Sequence, residues 1–384
     1  MTTRTCCGLT QEDLLSHIDS ELASGMKATL ALVFCSPDWD VRSLMDALAE
    51  RHLTVVGTTT AGEIAGDRVL EGGGSVMLWE AAPGSFEVWA ESRSEGESMR
   101  EVAQRLGQAA TDWFARPVVL TFASGLTTDG EAVVRGVKAG AGRALPLYGG
   151  LAGDNLRMER TEVFTHSGIH EDGLVGLVLD GERYHVDGIA TSGWKPVGIA
   201  KTVTRSEGNQ VFELDGESVL DVYGKYLNMD GLRESNVSIA MDLGVQYPIS
   251  VEREDGTSVI RAPLLSDPET DALIFAGAVP EGAKVRFCIP PSLDIVDHVV
   301  DEANTLHGKM SDADAVVLIS CAARRTALGP IVEDEILGLD EIWRAPMAGY
   351  FSYGEIGGPT DGGCDFHNET CMLLVVRETP YGRD

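Results

Sequence analysis

One unit of organisation occurs three times along the chain, and it constrains the fold more than any other feature. The first copy opens with the apolar run Leu30-Ala-Leu-Val-Phe-Cys-Ser36. A loop with Pro37, Asp38 and Asp40 follows, then a helical stripe of Val41, Leu44, Met45 and Leu48, then Thr54-Val-Val-Gly-Thr-Thr-Thr60. The chain breaks at Ala61-Gly-Glu-Ile64 and resumes as a strand at Ser75-Val-Met-Leu-Trp79. The second copy runs from Val118-Val-Leu-Thr-Phe-Ala-Ser124 through a helix around Val133 and Val137 to Leu147-Tyr-Gly-Gly-Leu-Ala-Gly-Asp154. Strands at 161–165 and 174–179 complete it. The third runs from Ala315-Val-Val-Leu-Ile-Ser-Cys321, past a loop with Arg324 and Arg325, to a helix opened by Pro330 and striped with Val332, Ile336, Leu339 and Trp343. Met347-Ala-Gly-Tyr-Phe-Ser-Tyr-Gly-Glu355 and the strand Thr370-Cys-Met-Leu-Leu-Val-Val376 end it.

A strand–helix–strand crossover favours parallel pairing, whereas the strand after each acidic break can return antiparallel. The fold class expected is therefore α/β: two related halves with mixed β-sheets flanked by helices, built from repeated strand-helix-strand-strand units. The first domain expected spans 1–227, with a helical lead-in at 10–25 capped by Thr10 and ended by Gly25. The second spans 228–384, the boundary falling in the polar stretch 228–235. Between the second and third copies, residues 183–214 read as inserted strands, a helix carries Val219, Val222, Tyr223 and Tyr226, and four antiparallel strands follow between 248 and 289.

Charge narrows the partners. Lys and Arg number 30 against 60 Asp and Glu, a net −30. Nucleic acid and anionic membrane surfaces both demand a basic face, so neither is expected. No apolar run approaches the ~18 residues of a membrane span, and the N-terminus carries no apolar signal core. The chain has 7 cysteines, and Cys35, Cys288 and Cys321 sit in apolar runs. These read as reduced packing thiols of a cytoplasmic protein. Cys6 and Cys7 lack metal-site spacing and read as a tail.

Ligands in parallel α/β units gather beyond the carboxyl ends of strands. Polar residues concentrate there in each copy, Ser124 among them. The strands Gly57-Thr-Thr-Thr-Ala-Gly-Glu63, Gly149-Gly-Leu-Ala-Gly-Asp154 and Gly349-Tyr-Phe-Ser-Tyr-Gly-Glu355 are too rich in glycine for ordinary core strands, and each ends on an acid. Thr59, Glu63, Asp154 and Glu355 are thus candidate binding residues. The third copy is densest: Arg324 and Arg325 can fork to a carboxylate, and Tyr353, Glu355, His367 and Asn368 lie on its glycine-rich return. An arginine for a carboxylate and an acid for an ammonium suit an amino acid or other small carboxylate. Runs such as Glu333-Asp-Glu335 read as solvated helix surface or capping. No nucleophile elbow, phosphate loop or zinc helix is present, so no catalytic residue and no metal ligand is assigned.

Together, the three glycine strands, Ser320-Cys-Ala-Ala-Arg-Arg325 and Phe366-His-Asn-Glu-Thr370 resemble the FIST family of sensory proteins, in the same order and over nearly the whole chain. The resemblance implies an intracellular small-ligand sensor, with amino acids as the proposed ligands and a signalling partner such as a histidine kinase or a cyclic-di-GMP protein. It carries no cofactor in that reading. A subset similar in sequence binds haem b and senses nitric oxide, which would require an axial histidine facing an apolar cavity. His166, His170, His185, His298 and His367 are the candidates, His367 and His185 foremost. A third reading, an enzyme of small metabolites, would use Glu355 or Asp154 as general base.

Overall fold

The apolar runs that open the three copies have no polar alternation, so both faces of each must be buried. The computed structural model, which describes residues 1–227, 247–253, 256–267, 269–289, 294–358 and 363–379, shows how. Leu30–Cys35 pairs in parallel with Thr54–Thr59 and antiparallel with Gly74–Trp79. Pro117–Ala123 pairs in the same way with Leu147–Leu151 and Gly173–Asp180. So does Ala315–Cys321 with Met347–Ser352 and Cys371–Glu378. The mixed α/β sheets expected from the repeat are present.

Each opening strand then divides its side chains between two cores. Leu30, Leu32 and Phe34, Leu120 and Phe122, and Val317 and Ile319 meet in one central cluster shared by all three sheets. At its middle Phe34 stacks on Tyr350 at 5.0 Å, and Phe122 meets both rings edge-on at 5.8 and 5.9 Å. The alternate residues face outward onto helices. Ala31 and Val33 pack under Gln11–Ala23 and Val41–Glu50, and Val119 and Ala123 under Met99–Trp113 and Gly130–Ala141. Val316 and Leu318 pack under Ile295–Lys309 and Val332–Trp343. The helix Met99–Trp113 and the strand Phe86–Ser92, between the first two copies, escape the sequence reading; the helix is announced by a capping box of Ser98 and Glu101.

The acidic breaks are crossings between sheets. The short hairpin after each break leaves its own sheet and extends a neighbour's. Glu63–Ala65 joins Met347–Ser352 of the third copy. Val163–Thr165 joins Thr54–Thr59 of the first, and Glu355–Gly357 joins Leu147–Leu151 of the second. The three sheets are therefore linked in a ring, each lending one hairpin and receiving another.

Other expectations change in detail. The N-terminal residues are no tail: Thr3–Gly8 is a strand antiparallel to Gly74–Trp79, with Cys6 buried beneath the lead-in helix among Leu14 and Ile18 and Thr3, on the other face, donating to the Asp314 carbonyl. The lead-in helix itself has its Thr10 cap, whose hydroxyl accepts the Asp13 N–H at 3.1 Å. Arg324 and Arg325 sit on a helix, Ala322–Leu328, not in a loop. Tyr184–Thr191 belongs to the third sheet, antiparallel to Cys371–Glu378. Beyond it Lys195–Glu207 enters a separate sheet with Ile249–Glu252, Ser258–Arg261, Ala272–Phe275 and Lys284–Ile289, which closes its own core with the helix Val219–Leu227. The boundary expected at 228–235 lies outside the described residues.

Candidate functional site

The three repeated acids sit at equivalent crossings but in different chemical settings. Asp154 is saturated. It accepts from the Tyr353 hydroxyl and from the N–H groups of Met158, Glu159 and Arg160 at 3.0, 2.6 and 2.9 Å. Burial opposes its charge, yet these donors outweigh it and hold the carboxyl below its ordinary range. A carboxylate so occupied organises the loop 154–160 and is a poor general base.

Glu63 is fully buried and also satisfied: Thr60 donates to one oxygen and the Gly73 N–H to the other at 3.0 Å. Burial pushes it up to about 7 against those two bonds and the Arg325 charge. Glu355 repeats the arrangement with Ser352 as donor to Oε1 at 2.5 Å, but its Oε2 is buried with no partner. Burial pushes it up to about 8 against the Ser352 bond, the Thr370 N–H, the Cys321 thiol and Arg324.

Around Glu355 the unpartnered atoms accumulate. Both oxygens of Glu369, both amide atoms of Asn368 and the Tyr350 hydroxyl are buried without hydrogen bonds. Asn368 and Glu369 are 1% and 0% exposed. Each unpaired buried polar group costs about 1–3 kcal/mol, and here several of them surround one carboxyl. Glu369 is also held at φ 56, a left-handed conformation that a non-glycine residue adopts only under constraint. Burial and then the Glu355 charge push its carboxyl well above the usual range. Gly150 makes room: a Cβ there would lie 2.8 Å from the Tyr350 hydroxyl and 3.0 Å from the Gly354 carbonyl. Ser320 has an unpartnered hydroxyl too, but beside Cys371 and Phe351 on the opposite sheet face.

The remaining predicted residues fall elsewhere. Arg324 is 0% exposed and forks onto Glu335 at 3.2 and 2.6 Å, with its third nitrogen on the Ser192 carbonyl. Glu335, expected at the surface, is 0% exposed and is that partner. Arg325 donates to the Ala61 carbonyl at 2.9 Å and to Glu71, over the Phe351 ring. It backs the Glu63 corner. Thr59 and Ser124 hold strand crossings, on the Glu162 N–H at 3.0 Å and the Gly173 N–H at 2.8 Å. The structure thus gathers Glu355 and Asn368 of the predicted set and adds Glu369, Tyr350 and Ser352. Glu369 stood inside the Phe366–Thr370 motif and the two hydroxyls inside the Gly349–Glu355 strand, both marked in the sequence as motifs but not residue by residue.

The two foremost histidine candidates lie apart from the Glu355 corner or are engaged elsewhere. His367 is half-buried in the strand Asp365–His367, with Nε2 at 3.1 Å from the Gly357 carbonyl. Burial and then Arg261 and Arg253 push it down to about 4 against that contact. His185 is exposed on its strand.

Family models match residues 29–217 as a FIST N domain and residues 220–358 as a FIST C domain. The chain belongs to the FIST family. FIST domains are sensory domains of signal transduction. No curated protein matches the chain in a sequence comparison. The two FIST regions interleave: Glu63–Ala65 and Arg68–Leu70 of FIST N complete the third sheet, and Glu355–Gly357 of FIST C extends the second. The FIST C match ends before Asn368 and Glu369. Among the described residues no helix is long and apolar enough to cross a membrane.

Proposed function

We propose that this chain is a small-ligand sensor whose ligand is held at the Glu355 corner, and that the ligand is an amino acid or a similar small carboxylate bearing an ammonium group. The observation that carries the reading is the set of buried, unpartnered atoms on Tyr350, Glu355, Asn368 and Glu369. Two carboxyls offer acceptors to an ammonium, while the Asn368 amide and the Tyr350 hydroxyl offer donors to a carboxylate. Arg324 does not clamp the ligand directly, since Glu335 and Ser192 occupy it; it lends positive charge from behind. A ligand supplying hydrogen bonds to these atoms binds groups whose desolvation the fold has already incurred. A signalling partner such as a histidine kinase or a cyclic-di-GMP protein, in the cytoplasm, would read the bound state; the seven free thiols accord with that compartment.

Calorimetry against a panel of amino acids tests the reading. One or more should bind saturably, Glu355→Gln and Asn368→Ala should each weaken binding about tenfold or more, the ~1.4 kcal/mol of one lost hydrogen bond to a charged group, and Glu63→Gln should not. Undiminished binding in both Glu355→Gln and Asn368→Ala would place the ligand elsewhere.

A further inference from the structure

A cleft of about 930 Å³ opens at another place, between the helix Gly130–Ala141 of the second copy and the inserted sheet. It is lined by Glu131 and Arg135 from the helix, Val251–Arg253 and Val259 from the hairpin, and Ala278 and Pro280–Lys284. Its size is that of small-molecule sites in general.

Arg135, Arg253 and Lys284 line it beside Glu131, Glu252 and Glu281, and Glu131 is shared among several guanidinium groups. Glu131, 8% exposed, receives Arg135 at 2.6 Å, Arg253 at 3.4 Å and the fully buried Arg261. Arg261 is spent, since its other donors go to the carbonyls of Ile260, Phe366 and Ala278 at 2.9, 3.1 and 3.2 Å. Arg253 is not. Beyond its long contact to Glu131 it reaches Asp365 at 3.3 Å, and its Nε is buried with no partner. Arg135, 59% exposed in its side chain, keeps further N–H groups beyond its single bond to Glu131. A guanidinium with unfilled donors is a fork for planar or tetrahedral oxyanions.

We propose that this cleft is a second binding site, distinct from the Glu355 corner, for a small oxyanion-bearing ligand, a carboxylate or a phosphate ester, held by Arg253 and Arg135. Glu252 and Glu281 on the rim repel polyanions and restrict the site to one or two negative charges. Arg253 on Asp365 and Arg261 on the Phe366 carbonyl tie the cleft to the strand Asp365–His367. That strand is the ladder partner of Glu355–Gly357, so the site lies one strand from the Glu355 corner and can bias it.

Titration of the full chain with inorganic phosphate and with succinate at constant ionic strength tests the assignment. Saturable millimolar binding by at least one is expected, with hydrogen-exchange protection in 249–253, 256–261 and 278–284. Arg253→Gln should weaken it tenfold or more. Arg135→Gln, at an exposed position where folding is not at stake, should weaken it at least threefold, and the exposed Arg100→Gln should leave it unchanged. Glu355→Gln should also leave it unchanged, which separates this site from the amino-acid reading. Absence of saturable binding by both anions, full affinity in Arg135→Gln, or loss in Glu355→Gln with retention in Arg253→Gln would each overturn it.

Discussion

The Glu63 and Glu355 corners are two uses of one motif. In both, a hydroxyl residue at the end of a strand, Thr60 just past Thr54–Thr59 or Ser352 closing Met347–Ser352, donates to the acid three positions on. Both acids are fully buried, and both begin a hairpin lent to a neighbouring sheet. At Glu63 the Gly73 N–H closes the second oxygen. At Glu355 the Thr370 N–H and the Cys321 thiol lie near the carboxyl but neither reaches the second oxygen at hydrogen-bond geometry, and Asn368, Glu369 and Tyr350 add unpartnered atoms around it. The repeat therefore supplies a structural corner and a receptive one from the same local chemistry. What differs is what the rest of the chain brings to the second oxygen.

The largest effect expected concerns the arginines behind the corners. Arg324→Met should cost about 3–5 kcal/mol, since it strands the buried Glu335 charge, whereas Arg325→Met should cost at most about 1 kcal/mol, because its partner Glu71 is 80% exposed. Chemical denaturation of the two variants measures the gap, and equal losses would break the distinction. Next, Thr60→Val should cost about 1–3 kcal/mol by leaving Glu63 Oε1 bare. If Ser352→Ala costs clearly less, the Glu355 corner already tolerates unsatisfied oxygens, which is what a receptive site requires.

A third contrast is in pH. Both glutamates bind their protons more tightly in the folded chain, at about 7 and about 8, than at the ordinary 4.5. The folded state then carries the extra protons between roughly pH 5 and 8, so stability falls as pH rises through that window. Melting temperature followed from pH 5 to 8.5 should decline. Glu63→Gln should remove the part of the slope that ends near pH 7, and Glu355→Gln the part that ends near pH 8. A ligand ammonium favours the ionised carboxyls, so affinity should rise over the same range in the native chain and lose that rise in Glu355→Gln. The smallest effect expected is that of Glu63→Gln on ligand affinity, within about twofold; a larger loss would make the first corner part of the site.

Much of this was legible beforehand. The glycine strands marked where chains approach closely, as Gly150 does against Tyr350, and their terminal acids marked the three crossings. The error over Glu335 has a plain cause: an acid in the first turn of an amphipathic helix has the same sequence signature whether it faces water or a buried guanidinium. Arg324 misled for the reciprocal reason, since a free arginine and a paired one look alike. Cys6 and Cys7 gave too short a pattern to reveal an edge strand whose burial depends on a helix packed over it.

The sequence by itself determined the repeat, the mixed sheets, the family and the presence of an acid at each crossing, because these follow from local periodicity and short motifs. Only the tertiary structure decided which acid is left open. That depends on whether a distant donor, such as the Gly73 N–H or the amides of 158–160, reaches the carboxyl, and hydrogen bonds between remote segments leave no trace in local spacing.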